Sequence, residues 1–449
     1  MILFESVRII SFEPSAVSEP MDLAVAGPDE GVSGGTILET GAGLAAKHPG
    51  AKRVTGAYLS PGLVCAHTHL YSALARGLMV DIKPSKDFAQ QLKNLWWRLD
   101  RAIDLPILEA SALAGCADAA MSGVTSVVDH HSGPEAIDGS LSVIRRAYED
   151  VGIRGILCYE TTDRNGMEGA RAGVEENLRF VREIDADREA GKRPLVDGAI
   201  GAHAGFTVGD ETLAELGDAA RSSKRGIHIH LGEDKFDAVD SRYRFGADLA
   251  VRLDAAHCLG PKTIIGHGVW LTEGEVEIVN ARGSFLAHNA RSNMNNAVGY
   301  NALLPRFANV VLGTDGMSAD MLEEFRFACF RHRESGGPWW PGDFLRCLDR
   351  GNRLMERYMG VAGGGAFGRL IAGAVADLVL WDYDPPTPLV GGNIAGHIAF
   401  GLSTRSVKSV MVNGKFVVEN RVPAFDAEGI AAKARAETAR LWRRMEDRS

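Results

Sequence analysis

Eight apolar runs, each ending in polar or glycine-rich residues and most followed by a helical pattern, constrain this chain more than any other feature. They are Leu63 to His69, Thr125 to His131, Gly155 to Thr161, Gly198 to His203, Gly226 to Glu233, Thr263 to His267, Ser284 to Asn293 and Val310 to Asp315. Strands alternating with helices imply a parallel sheet, and eight such units imply a closed (β/α)8 barrel, an α/β fold whose chemistry gathers at the strands' carboxyl ends. A seven-unit or open doubly wound sheet is the competing arrangement. At 449 residues the chain is long for one domain of ~150, which suits one large barrel with an appendage, or two or three units.

The flanks read differently. Short β-branched segments separated by Pro and Gly (Val7 to Ser11, Leu23 to Ala26, Thr36 to Glu39) precede the barrel, and matching pieces follow it in Ala376 to Trp381, Ser409 to Val412 and Lys415 to Val418. Asn413-Gly414 between the last two is a strong hairpin signal. Neither flank holds enough apolar residues to fold alone, so the two termini are expected to build one small composite β-sandwich. The expected boundaries are 1–58 and 368–423 for its two parts, 59–367 for the barrel and 424–449 for a C-terminal surface helix. Within the barrel, Asp104 to Ser122 carries an Asp cap and an early Pro. The long excursion from Tyr71 to Asp100, with Gly77, Pro84, Trp96 and Trp97, suits a lid over the barrel mouth, or helical packing of both tryptophans against its wall.

Composition narrows the function. A net charge of −9 without a dense Lys/Arg run argues against a nucleic-acid partner. Six scattered cysteines, with no Cys-x-x-Cys pair, read as reduced. No basic-then-apolar leader and no apolar run of ~18 residues is present, so a cytoplasmic protein away from membranes is expected.

The run from Pro61 ends in His67-Thr68-His69. In a strand alternate side chains share a face, so both imidazoles would project together and supply half of a metal site. The fifth run ends in His228-Ile229-His230-Leu231-Gly232-Glu233; His230 lies at the carboxyl end, whereas His228, deeper in the pleat, suits a hydrogen-bonded core position. Glu233 is placed to carry a proton without touching a metal. His267 ends the sixth run and Asp315 the eighth, each between small residues. A buried carboxylate at Asp315 needs a cation.

These stretches, with Gly266-His267-Gly268 and Gly313-Thr314-Asp315-Gly316, resemble the amidohydrolase superfamily, in its cytosine deaminase/triazine hydrolase branch. Leu92 to Arg101, Glu160 to Asn165, His288 to Asn296 and Asn393 to Gly401 look like stretches of the SsnA-type aminohydrolases. The resemblance implies that His67, His69, His230 and Asp315 hold one divalent ion, Zn2+ or Fe2+. A metal-bound hydroxide would then attack a carbon–nitrogen bond, not a peptide bond, of a planar, purine-like nitrogen heterocycle, releasing ammonia. Asp315 would accept a proton, His267 steady the nucleophile and Glu233 deliver a proton to the ring or departing nitrogen. The fourth run ends in Ala202-His203-Ala204, without the lysine of two-metal relatives. His203 corresponds to a substrate-contacting position; Arg291, which follows Asn289-Ala290 in place of the family's usual Cys-Pro, and Trp97 are further candidate substrate contacts. Opening of a cyclic amide ring, dehalogenation, and a metal-binding module without turnover are the competing functions. Relatives are commonly homo-oligomers, and His130 and His131 fall outside the family's ligand set.

Overall fold

In the computed structural model, which describes residues 1–31, 34–360 and 366–447, the eight runs become eight parallel strands. They are Leu63–Thr68, Val124–His131, Arg154–Tyr159, a fourth in two pieces (Val196–Gly198 and Ile200–Ala204), Ile227–Leu231, Ile264–His267, Phe285–His288 and Val310–Leu312. Every residue in them is buried, the pattern of a parallel sheet covered on both faces. The first piece of the fourth strand pairs with the third and the second with the fifth, so the strand passes from one arc of the sheet to the other. Parallel bridges at Thr161–Ala202 and Thr68–Asp315 join the arcs at both seams. Residues 32–33, 361–365 and 448–449 lie outside the described residues, and with them a stretch near the end of the expected barrel span and the last two residues of the expected 424–449 helix.

The barrel interior is layered. Val64, Val128, Ile156, Ile264, Phe285 and Val311 pack into one apolar cluster with Leu354, Met355 and Tyr358 of the helix Pro341–Met359. Two residues further along, the pleat brings polar groups to the same face: Val128 gives way to His130, Cys158 to Glu160 and His228 to His230. The seventh run departs from its expected extent. Its strand stops at His288, and Ala290–Asn295 turns into a short helix, because the Asn289 carbonyl accepts from Asn293 N–H (2.9 Å) instead of continuing the ladder.

Strands from both termini share a single ten-stranded sheet. Tyr58–Pro61, which leads into the barrel, runs parallel to Ile2–Ser11 on one side and antiparallel to Leu378–Trp381 on the other. Val407–Val412 and Lys415–Glu419 form the hairpin around Asn413 and Gly414, both at positive φ as that turn requires. Phe4, Val7, Leu23, Ile37, Leu59, Met411 and Phe416 give this sheet a core of its own. The helix Ala427–Glu446 buries Leu441 and Met445, and Met445 C=O accepts from Arg98 Nε (2.6 Å). Among the described residues no helix is long and apolar enough to cross a membrane.

One buried ion pair ties sheet to barrel. Arg154, on the third barrel strand, donates to Asp377 through Nε (2.7 Å) and Nη2 (3.2 Å), and Asp377 also accepts from Asn413 N–H (2.8 Å). Breaking such a pair strands one buried charge, so Asp377→Ala is expected to destabilise the fold by about 3–5 kcal/mol. Replacing both partners, as Arg154→Met with Asp377→Leu, should cost less than Asp377→Ala alone, as read from denaturant midpoints; a larger loss in the double variant would refute the assignment.

Candidate metal centre and active site

The strand ends bring five of the expected residues to one point. His67 and His69 lie at the end of the first strand, their ring centroids 5.0 Å apart. His230 comes from the fifth strand, His267 closes the sixth, and Asp315 follows the eighth by three residues. His267 and Asp315 both adopt positive φ (71° and 53°), a conformation that costs on the order of 1–3 kcal/mol in a non-glycine residue and turns each side chain off its strand. Gly266 leaves room for the rings, since a Cβ there would stand 3.2 Å from the His230 imidazole.

Hydrogen bonding fixes which nitrogen of each ring faces inward. A backbone carbonyl can only accept, so His69 Nδ1–H donates to His130 C=O (2.6 Å) and His230 Nδ1–H to His203 C=O (2.9 Å). His267 Nδ1 meets Asn293 Oδ1 (2.7 Å), and His67 Nδ1 meets His228 Nε2 (2.8 Å), which gives His228 the core role expected of it. All four Nε2 atoms therefore turn toward the centre. His69 Nε2 is 3.1 Å from His230 Nε2 and 2.8 Å from Asp315 Oδ1; the buried Nε2 atoms of His67 and His267 have no hydrogen-bond partner among the described residues. Ligand atoms of His67, His230, His267 and Asp315 lie within 4.8 Å of one another. Inward lone pairs with a carboxylate are a donor set suited to a divalent transition-metal ion.

The charges in this cluster respond to that crowding. Burial pushes His67 down to about 4 and holds His230 well below the ordinary imidazole range. Burial acts the same way on His69, but the Asp315 and Glu160 carboxylates outweigh it and raise this group. Asp315 is the reverse: burial would raise it, and the neighbouring imidazoles of His67 (Nε2 3.6 Å from Oδ1) and His69 hold it well below the carboxylate range.

The short helix after the seventh strand supplies a second layer. Ser292 donates to Asp315 Oδ2, Asn293 orients His267, and Asn296 Nδ2 approaches Glu233 Oε1 at 3.4 Å. Glu233 Oε2 is 3.6 Å from His267 Nε2, and burial pushes its carboxyl up to about 7 against the opposing pull of His267. Asp237 holds the bend that carries Glu233, its Oδ2 accepting from Gly232 N–H at 2.7 Å.

A cavity opens above the cluster. Phe88, Leu92, Trp96 and Trp97 from the Tyr71-to-Asp100 excursion and Phe206 from the fourth strand's loop wall it with aromatic and apolar surface, while His203, Glu160, Glu233 and Asp315 line it with polar groups. The excursion thus forms a wall of the cavity. Trp97 is fixed from behind by Arg164, whose guanidinium lies 4.6 Å from the ring centroid and pairs with Asp100 (2.5 Å). Arg291 does not reach this cavity. Its donors are spent on Glu324 (Nε, 2.6 Å), Glu323 and Ser318 C=O (2.6 Å), so the inward orientation expected of it is corrected to a buried structural pairing. Glu160 and the Ser292, Asn293 and Asn296 set escaped the sequence reading of the site. Glu160 carried the same signal as Asp315, a carboxylate where an apolar run ends.

Two outcomes follow from these placements. Arg291→Ala strands the buried Glu324 carboxylate and should lower stability by about 3–5 kcal/mol; unchanged stability with a raised KM would restore a substrate role. Burial pushes Asp237 up to about 7, with the N–H groups of Gly232 and Phe206 opposing. The folded state then keeps a proton that the unfolded chain has lost, so this group's stabilisation is full below about pH 4 and disappears as pH rises through about 7. Asp237→Asn has no proton to lose and should show a smaller drop in Tm between about pH 5 and pH 8 than the parent; parallel Tm curves would contradict this.

Comparison with known proteins agrees with the geometry. The chain is 30% identical over 405 residues to a 5-methylthioadenosine/S-adenosylhomocysteine deaminase of Pelotomaculum thermopropionicum, covering 87% of each. It is 28% identical over 424 residues to a 5'-deoxyadenosine deaminase of Methanoregula boonei, covering 92% of this chain and 91% of the relative. In fold it is similar to an adenosine deaminase of Xanthomonas campestris with bound zinc (TM-score 0.80, 23% identity, 98% of both chains). It is also similar to the zinc-complexed atrazine chlorohydrolase TrzN of Arthrobacter aurescens (TM-score 0.79, 22% identity, 98% of this chain and 100% of that one). The model of the amidohydrolase family matches residues 58–417, and the chain belongs to that family.

Proposed function

We propose that this protein is a metal-dependent aminohydrolase that removes an amino group from a purine-like heterocycle and releases ammonia. The observation that carries the reading is the set of inward imidazole nitrogens and one carboxylate at the floor of an aromatic-walled cavity. His67, His69, His230 and Asp315 would hold one ion, Zn2+ or Fe2+, with His267 beside it. Such an ion, when bound, lowers the pKa of water toward neutrality and offsets charge that develops on the attacked ring.

The chain's own groups divide the remaining work. Trp96, Trp97, Phe88 and Phe206 offer apolar faces to a planar ring and exclude bulk water from it. Asp315, anchored by the Ser292 hydroxyl, accepts the proton lost by the attacking water. Glu233, raised by burial to about 7, carries a proton near neutral pH and delivers it to the ring or departing nitrogen. The net change replaces a C–NH2 group by C=O with one water consumed and one ammonia released. The deaminases similar to this chain act on 5'-deoxyadenosine or 5-methylthioadenosine by name, which supports an amino-purine substrate. Six free, buried cysteines support a reducing, cytoplasmic setting. Exposed Phe330 and Phe400, with ring centroids 5.8 Å apart, support association into a homo-oligomer.

The test pairs metal analysis with a coupled ammonia assay on amino-purines and their nucleosides. One zinc or iron per chain and ammonia release abolished by chelation are expected. Glu233→Gln should lower kcat by roughly 10²–10⁴ with metal content retained. Ring opening in the ultraviolet spectrum without ammonia would replace this reading by a cyclic amide hydrolase.

A further inference from the structure

Glu160 has no part in the chemistry above, yet it is buried at the end of the third strand and lines the substrate cavity. Among the described residues no hydrogen bond is made to either of its oxygens. Oε1 lies 3.2 Å from both His69 Nδ1 and His130 Nδ1 and has no hydrogen-bond partner. The first of those nitrogens already gives its proton to His130 C=O (2.6 Å). The second belongs to a ring whose other nitrogen donates to His228 C=O (3.1 Å), so it presents a lone pair. A metal bridging His69 and Glu160 is disfavoured for the same reason, since the His69 Nδ1 electron pair is not available while its hydrogen serves the carbonyl.

Oε2 is 3.9 Å from His203 Nε2. Thr207 Oγ1 stands 2.7 Å from His203 Nδ1 and 3.1 Å from Ala204 C=O: with its hydrogen on the carbonyl it leaves His203 Nε2 a lone pair, and with its hydrogen on Nδ1 it leaves Nε2–H a donor. In either case Glu160 Oε2 and His203 Nε2 face the cavity side by side, too far apart to hydrogen-bond each other, and among the described residues no donor reaches the Glu160 oxygens. A buried acceptor left unpaired is destabilising, and more so when charged, so this arrangement is completed by a donor from outside.

We infer that Glu160 is a specificity-determining residue whose carboxylate, beside His203, takes up an N–H or O–H donor of the substrate away from the bond that is cleaved. The inference rests on the cavity being the substrate site of the aminohydrolase proposed above. It restricts the substrates to heterocycles that carry a second donor: a ring amine such as a 2-amino group, or a sugar hydroxyl. A heterocycle lacking that donor leaves the buried Glu160 carboxylate unpaired and is discriminated against.

Two matched pairs separate the sources: adenine against 2,6-diaminopurine for the ring amine, and 2',3'-dideoxyadenosine against adenosine for the hydroxyls. In the parent protein the donor-bearing member of at least one pair should be favoured by about tenfold to a hundredfold in kcat/KM, as expected of a hydrogen bond to a charged group. In Glu160→Gln and Glu160→Ala, both checked for folding by Tm, that ratio should fall to within about threefold of unity, whatever the common change in rate. Equal ratios in parent and variants for both pairs, with ammonia still released, would overturn the role of Glu160 and leave the aminohydrolase standing. Absence of ammonia from every compound would overturn the aminohydrolase instead, and ligand-induced shifts in Tm with the same pairs would then decide Glu160. A donor-dependent shift lost in Glu160→Gln supports it, and none refutes it.

Discussion

Everything in this molecule is arranged around a shortage of hydrogen at one point. The Nδ1 protons of His69 and His230 are committed to the carbonyls of His130 and His203, so their Nε2 electron pairs meet at 3.1 Å with Asp315 at 2.8 Å from the first. Electron pairs this close repel unless a proton or a cation lies between them. The carbonyls that set this up are main-chain atoms of neighbouring barrel strands, so the ring of strands, more than any single side chain, dictates where positive charge must sit.

The barrel also explains how residues so distant in the chain are held to that point. His267 and Asp315 use left-handed backbone to leave their strands, and the cost is met by a fully buried surround. Gly313, before the Asp315 bend, could not carry a side chain, because a Cβ would stand 2.7 Å from that of His67. The helix at Ala290–Asn295 and its C-cap Asn296 then brace three different site residues through side chains spaced one and three apart, which a continued strand could not do.

Much of this was legible before any coordinates. Strand alternation exposed the His67–His69 pair and separated His230 from His228, and Asn413-Gly414 marked its hairpin. Partner choice was the hidden part. Arg291 reads as a substrate contact because its fixed fork of donors suits a ring carbonyl or anionic nitrogen, but its carboxylate partners Glu323 and Glu324 lie on a later helix, Met321–Glu334, and adjacency across the fold is not written in local sequence. Glu160 was obscured for the opposite reason. Its meaning lies in what fails to bond to it, and an absent donor leaves no trace in a string of residue types.

The shared terminal sheet has a temporal side. Tyr58–Pro61 emerges from the ribosome early, but its neighbour Leu378–Trp381 follows about 320 residues later. At typical synthesis speeds that interval is roughly 15–60 s. During it the nascent chain displays an unsatisfied strand margin, Tyr58-Leu59-Ser60-Pro61, of the kind that invites pairing with other polypeptides. Its brevity, and the proline that ends it, blunt that invitation until the C-terminal portion arrives.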